Sequence, residues 1–200
     1  MVSDKQMLVG ITGGIGSGKT TICKVFETLG AKTYYADDRA KWLMEHDQEL
    51  VNQVKALFGE EAYLHGNLNR KLIADRAYHD DSLLTKLNSV VHPAVGRDTQ
   101  EWIKKHDDAK LLLKEAALLF ETGIYRQLYK NILVLAPKEI RIQRVLQRDS
   151  HRDEPAVKAI ISKQMDDEEK IPLADYLIQN DGNQSVIRQV MKIYDDLLVA

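Results

Sequence analysis

Near the start of the chain, Gly13-Gly14-Ile15-Gly16-Ser17-Gly18-Lys19-Thr20 sets a glycine, four residues and then Gly-Lys-Thr in a row. Glycines at this density let successive backbone N–H groups turn toward one anion with no Cβ in the way. A helix that follows directs its positive end at the same charge. The lysine and hydroxyl after the last glycine complete a phosphate-loop pattern, with Gly14, Ile15, Gly16, Ser17, Gly18, Lys19, Thr20 and Thr21 as candidate nucleotide-binding residues. With ATP as phosphate donor, Lys19 reaches the β- and γ-phosphates and the Thr20 hydroxyl ligates Mg²⁺. The competing reading is a glycine-rich turn arising by chance.

Phosphoryl transfer also needs a group that orients or deprotonates an acceptor hydroxyl, and cations for the charge on the moving group. Asp37 lies just past the second predicted strand, at its carboxyl end, where ligands bind in open α/β sheets. It is the candidate catalytic carboxylate; an N-cap for the next helix is the competing reading, and Asp38 competes for either role. Arg141, Arg144 and Arg148 stand at i, i+3 and i+7, so a helix there carries three guanidiniums along one face. A planar fork suits phosphate oxygens, whereas the bland alternative is a solvated stripe paired with Asp149, Asp153 and Glu154. His92 before Pro93 reads as a capping or packing histidine, and the six histidines show no metal-ligand spacing. Cys23 reads as core; Trp42 and Trp102 could stack on a ligand ring but read first as packing residues.

The elements that position these groups alternate. Leu8–Thr12, Leu111–Leu113 and Asn131–Ala136 read as short buried strands, Lys32–Tyr35 as a short β-prone segment and Tyr176–Gln179 as the last strand. Helical periodicity carries Ile22, Val25, Phe26 and Leu29, with Gly30 as the C-terminal glycine, and then Ala36 to about Leu57 in two pieces. From Asn69 to His106 the pattern is helical without a strand; Pro137 opens another helix, and Val186–Leu198 closes the chain. Strands alternating with helices predict an α/β fold on a parallel five-stranded sheet. A mid-chain helical insertion and a late basic segment fit a small-molecule kinase, with the insertion holding the acceptor and a lid excluding water. The Asp-x-x-Gly and Asn-Lys-x-Asp signatures of switch GTPases occur nowhere in the chain.

Two hundred residues suffice for one domain with a substantial core. The chain has 28 Lys and Arg against 30 Asp and Glu, a formal net charge of −2, and so lacks the cationic field of a nucleic-acid coat protein. Hydrophobic residues at 44% and charged residues at 29% argue against disorder. A single cysteine excludes an internal disulfide framework. Apolar runs are strand-sized, and Met1–Gln6 lacks the basic-then-apolar layout of a signal peptide. The expectation is a soluble chain of a reducing compartment, the cytoplasm, with a small-molecule substrate and neither nucleic acid nor membrane as partner.

Several landmarks follow one another in order. They are Ile11-Thr12-Gly13-Gly14-Ile15-Gly16 through Thr20, Tyr35-Ala36-Asp37, Leu87-Asn88-Ser89-Val90-Val91-His92-Pro93, Leu118-Leu119-Phe120-Glu121-Thr122-Gly123, and Arg144-x-x-x-Arg148 with Gln164, Lys170, Ala174-Asp175 and Asn180. This order resembles the dephospho-CoA kinases from about Leu8 to Leu198. The resemblance implies a three-layer P-loop fold of the nucleoside-monophosphate-kinase kind in a single domain over 1–200. Within it fall a helical acceptor-binding insertion at about 60–106 and a lid at about 141–165. It implies transfer of the ATP γ-phosphate to the ribose 3′-hydroxyl of dephospho-CoA. Asp37 would orient or deprotonate that hydroxyl, Lys19 and Arg144 would supply catalytic charge, and Arg148 and Asn180 would lie on the ATP side. Thr12, His92, Leu118, Leu119, Phe120 and Glu121 would border the acceptor with Asp37. Two positions depart from the family pattern: Tyr35 replaces its first Asp, and Ala117 the proline before Leu-Leu-Phe-Glu. The alternatives are a kinase of another small acceptor, such as a nucleoside monophosphate, and a nucleotide-dependent binding switch.

Overall fold

The computed structural model describes residues 6–149 and 151–199, with the backbone alone at 78, 79 and 81. The stretch 1–5, read above for a leader, lies outside the described residues. Strand β1 (Met7–Thr12) runs into the glycine loop and α1 (Lys19–Thr28), and β2 (Lys32–Tyr35) runs directly into α2 (Ala36–His46). Helix α3 (Gln48–Phe58), a hairpin of β3 (Tyr63–Leu64) and β4 (Asn67–Leu68), α4 (Arg70–His79) and α5 (Asp81–Lys105) follow. The remainder is β5 (Leu111–Glu115), β6 (Lys130–Leu135), α6 (Lys138–Arg148), α7 (Glu154–Ser162), the single turn α8 (Asp167–Lys170), β7 (Tyr176–Gln179) and α9 (Val186–Val199). The chain forms two compact units, one running through Tyr35 and resuming at His106, the other Ala36–Lys105.

The first unit carries a five-stranded sheet in the order β2-β5-β1-β6-β7, with every neighbouring pair parallel. The five expected strands are all present. Register places Ile11 beside Glu115 and Glu115 beside Tyr35, so the carboxyl ends of β1, β5 and β2 share one edge. Side chains alternate faces along each strand. Val9, Ile11, Leu111, Leu113, Ile132 and Val134 pack against Ile22, Cys23 and Phe26 of α1 and Val190, Ile193 and Leu197 of α9. Each such buried side chain contributes about 1.5–3 kcal/mol. The opposite face carries Leu133 and Leu135 under Phe120, and the buried Lys114, whose ammonium lies 5.7 Å from the Tyr34 ring centroid. Burial pushes the Lys114 ammonium below its ordinary range.

The second unit is helical apart from its hairpin. Arg39 of α2 forks onto Asp98 of α5 at 2.9 and 2.5 Å, and Asp47 caps α3 by accepting from the Leu50 N–H. Helix α5 continues through Pro93. Trp42 is 44% exposed, with the Arg39 guanidinium 4.3 Å from its ring centroid and His46 stacked at 4.4 Å, so it belongs to a surface stack and not to the core. The hairpin escapes a periodicity reading because its strands are two residues long. Its turn, His65-Gly66, has positive φ at both positions (51° and 82°), the signature of a tight two-residue hairpin in which His stands where Asn is usual. Pro137 is the N-cap of α6, one position before the first helical turn.

Candidate active site

The glycine loop joins the carboxyl end of β1 to α1, and α1 begins without a protein cap. Its N-cap, Gly18, is in the left-handed region and offers no side chain, and no acidic residue lies in the first turn. The Thr21 and Ile22 N–H groups bond back to the Gly18 carbonyl. A helix N-terminus of this kind beside a glycine loop has the geometry that binds anions. Lys19 folds along the loop: its Nζ donates to the Gly13 carbonyl at 2.9 Å and lies 3.8 Å from Glu115 Oε1.

A cleft of about 390 Å³ opens beside the loop, lined by Gly16, Gly18, Lys19, Thr20 and Thr21 on one side and Arg144, Val145 and Arg148 on the other. Gly16, Gly18, Lys19, Thr20 and Thr21 thus share one concavity with two of the three arginines singled out by spacing, whereas Gly14, Ile15 and Ser17 are not part of its lining. Arg144 is held by neutral oxygens: Nη2 donates to the Asn180 carbonyl at 3.0 Å and Nη1 to the Ser17 carbonyl at 3.4 Å. Among the described residues it pairs with no carboxylate. A cation supported by carbonyls in a cleft of loop N–H groups retains its charge for an anionic ligand. Asn180 also donates Nδ2 to the Ser17 carbonyl at 2.7 Å, so it ties the end of β7 to the loop. The third arginine, Arg141, is 6% exposed and lies behind the loop, not in the cleft. The carboxylates weighed as its surface partners act elsewhere: Asp153 caps α7 and Asp149 pairs with Arg152 at 2.5 Å.

On the neighbouring side, Thr12 is buried and its hydroxyl is 3.4 Å from the Ala117 carbonyl. Leu119 and Phe120 are core residues, with Phe120 edge-on to Tyr125 at 5.2 Å, and Leu118 is the exposed side chain of its segment. Glu121 Oε1 accepts the Met165 N–H at 3.1 Å and lies 3.2 Å from the fully buried Lys170 Nζ. Removing one member of such a pair leaves a charge without its counterion. Lys170→Ala is therefore expected to cost about 3–5 kcal/mol, the usual range for breaking a buried pair. Urea denaturation checks this, and a double Lys170→Met, Glu121→Gln variant should recover most of the loss.

Asp37 and His92 belong to the helical unit. Asp37 lies in the first turn of α2, two residues past Tyr35, where a carboxylate also suits the helix dipole. Its neighbour Asp38 is exposed and pairs with Lys41 at 2.8 Å. His92 is exposed on α5 directly before Pro93.

The family model of dephospho-CoA kinase matches residues 7–185. The chain belongs to the dephospho-CoA kinase family. A dephospho-CoA kinase of Bacteroides fragilis is 32% identical over 185 residues, covering 92% of this chain and 90% of that protein. One of Chlorobaculum tepidum is 35% identical over 200 residues, covering 96% and 95%. A crystal structure from Thermus thermophilus superposes with a TM-score of 0.87 at 33% identity, covering 98% of this chain and 99% of that one. The dephospho-CoA kinase of Campylobacter jejuni, at 24% identity, a TM-score of 0.69 and 98% coverage of each chain, shares the fold. ATP-dependent phosphoryl transfer is the chemistry this dephospho-CoA kinase fold performs.

Within that family the departure at Tyr35 has a local account. Its hydroxyl donates to Glu27 Oε1 of α1 at 2.9 Å, and burial together with that acceptor raises the phenol above its ordinary range. Tyr35 is therefore a neutral donor and does not replace a carboxylate. Glu115 is the residue that sequence reasoning passed over. It is buried, closes β5 beside β1 and neighbours Lys19. A carboxylate ending the apolar run Leu-Leu-Leu-Lys-Glu, in the strand next to a phosphate loop, was the available signal.

Proposed function

We propose that the chain phosphorylates the ribose 3′-hydroxyl of dephospho-CoA with ATP, giving coenzyme A and ADP, in the cytoplasm. The observation that carries this reading is the cleft itself, where an uncapped helix end, Lys19, Arg144 and Arg148 face one space sized for a nucleotide's phosphates. The loop N–H groups and Lys19 hold the β- and γ-phosphates, and Arg144 offsets charge on the transferring group. Arg148 and Asn180 bound the nucleotide on its outer side.

Magnesium fits as a partner of the substrate more than of the protein. Among the described residues no group of three or more His, Cys, Asp or Glu clusters as a metal cage. Mg²⁺ characteristically takes one or two protein oxygens and completes its shell with phosphates and water. Thr20 lines the cleft, and its hydroxyl would offer a hard oxygen donor of the kind Mg²⁺ takes. When bound, the ion would be held by the Thr20 hydroxyl and would supply positive charge that offsets that of the phosphates.

Asp37 orients the 3′-hydroxyl and accepts its proton as the new O–P bond forms and the bond between the γ-phosphorus and the β–γ bridging oxygen breaks. The acceptor-side residues of the sheet unit are Leu118 and the turn whose packing Thr12, Leu119, Phe120 and Glu121 maintain; the acceptor-side candidate of the helical unit is His92. In this reading the helical segment around 60–106 holds the acceptor and the segment around 141–165 closes over ATP. The test is incubation with ATP, Mg²⁺ and, in parallel, dephospho-CoA, AMP, CMP or shikimate, with product mass read directly. Coenzyme A as the single product is expected. Another phosphorylated acceptor overturns the substrate, and ATP hydrolysis without a phosphorylated product favours a nucleotide-dependent switch.

A further inference from the structure

The crown of the phosphate loop is gripped from behind the cleft. Gln164 Oε1 accepts the Ile15 N–H at 2.9 Å, and Arg141 Nε donates to the Ile15 carbonyl at 3.0 Å. Both backbone polar groups of Ile15 therefore have side-chain partners outside the nucleotide cleft. The two partners are themselves joined, Arg141 Nη2 to Gln164 Oε1 at 3.4 Å, and Arg141 Nη1 reaches Asp167 Oδ2 at 3.3 Å. The glycines flanking Ile15 fit this contact closely. A Cβ on Gly14 would run into the Arg141 guanidinium, and one on Gly16, where φ is +78°, into the Arg141 carbonyl. The requirement for glycine at the crown thus comes from Arg141 as well as from phosphate. The segment that carries Gln164 and Asp167 is anchored in turn, because Glu121 holds the Met165 N–H and Lys170.

We propose that Gln164 and Arg141 are positioning residues for ATP: they clamp Ile15 and so keep the glycine loop ordered before the nucleotide arrives. The proposal rests on the loop being the ATP site. A run rich in glycine loses more conformational entropy on ordering than other backbone, and a clamp that orders it in the free protein removes that loss from the binding step. Glu121 extends the chain of contacts to the Leu118–Glu121 turn, which links the acceptor-side turn to the loop through one short segment.

The test uses Gln164→Met, which keeps the side-chain length and removes the acceptor at a half-buried position. Hydrogen exchange across residues 13–20 of the nucleotide-free protein and steady-state kinetics are measured for this variant and the unaltered chain. Loss of one hydrogen bond to the loop should speed exchange there and raise KM for ATP by about five- to tenfold, with kcat and KM for dephospho-CoA within about twofold. Arg141→Lys, which cannot fork between Ile15 and Asp167, should shift the same two readouts in the same direction. Unchanged exchange and ATP KM in Gln164→Met overturn the clamp, as does faster exchange spread over the whole chain, which marks general destabilisation. A chain that leaves ATP untouched overturns the functional reading and this proposal together. A chain that uses ATP equally well with and without Gln164 overturns the clamp alone.

Discussion

Asp37→Asn should lower kcat by roughly 10²–10⁴-fold, the range for loss of a general base, while KM for ATP moves by no more than about threefold. Asparagine preserves the shape of the side chain in the first turn of α2 but cannot take the proton of the acceptor hydroxyl. The competing role is structural, a carboxylate favoured at a helix N-terminus. Loss of that role lowers stability by at most about 1 kcal/mol and leaves turnover intact. Asp38→Asn is the matched control, since Asp38 shares the turn and is already paired with Lys41. Steady-state turnover of both variants, beside their thermal midpoints, separates the roles. Equal kcat for Asp37→Asn and the unaltered chain would remove Asp37 from the chemistry.

Lys19→Met should lower kcat/KM for ATP by roughly 10²–10³-fold, the cost of deleting one preorganised donor to developing charge. The ammonium rests on the Gly13 carbonyl and near Glu115, so its charge is carried at the mouth of the loop. Methionine keeps the aliphatic stem and removes the charge, which limits the stability change. Calorimetric titration with ATP and single-turnover kinetics divide the loss between binding and transfer. Normal affinity together with a normal rate would contradict the assignment of the loop.

The central strands were legible because β1, β5 and β6 are short, mostly apolar runs, and burial on both faces of a parallel sheet makes such runs conspicuous; the edge strands β2 and β7 were read from β-prone residues and position. Leu111–Glu115, buried throughout, is the clearest case. The phosphate loop was legible because its residue types follow from backbone geometry alone. The hairpin at Tyr63–Leu68 was not, since two-residue strands show no period. The surface stack of Trp42 was equally hidden, because composition favours burial for tryptophan and only the neighbouring Arg39 and His46 supply another partner.

The order of residues along this chain was enough to determine the alternation of strands and helices, the anion nest and the family, because these depend on contacts local in sequence or on motifs of fixed spacing. The division of labour among three evenly spaced arginines depended on tertiary structure. Spacing puts Arg141, Arg144 and Arg148 on one helical face, yet Arg141 is buried against Ile15, Gln164 and Asp167 while Arg144 and Arg148 line the cleft. The same holds for Glu121, whose charge meets Lys170 from 49 residues further along (170 − 121), and for Glu115, which nears Lys19 only because β5 lies beside β1. A helix turn sets which side chains point the same way; what they meet there is decided by segments distant in the chain, whose approach is set by packing of the whole core.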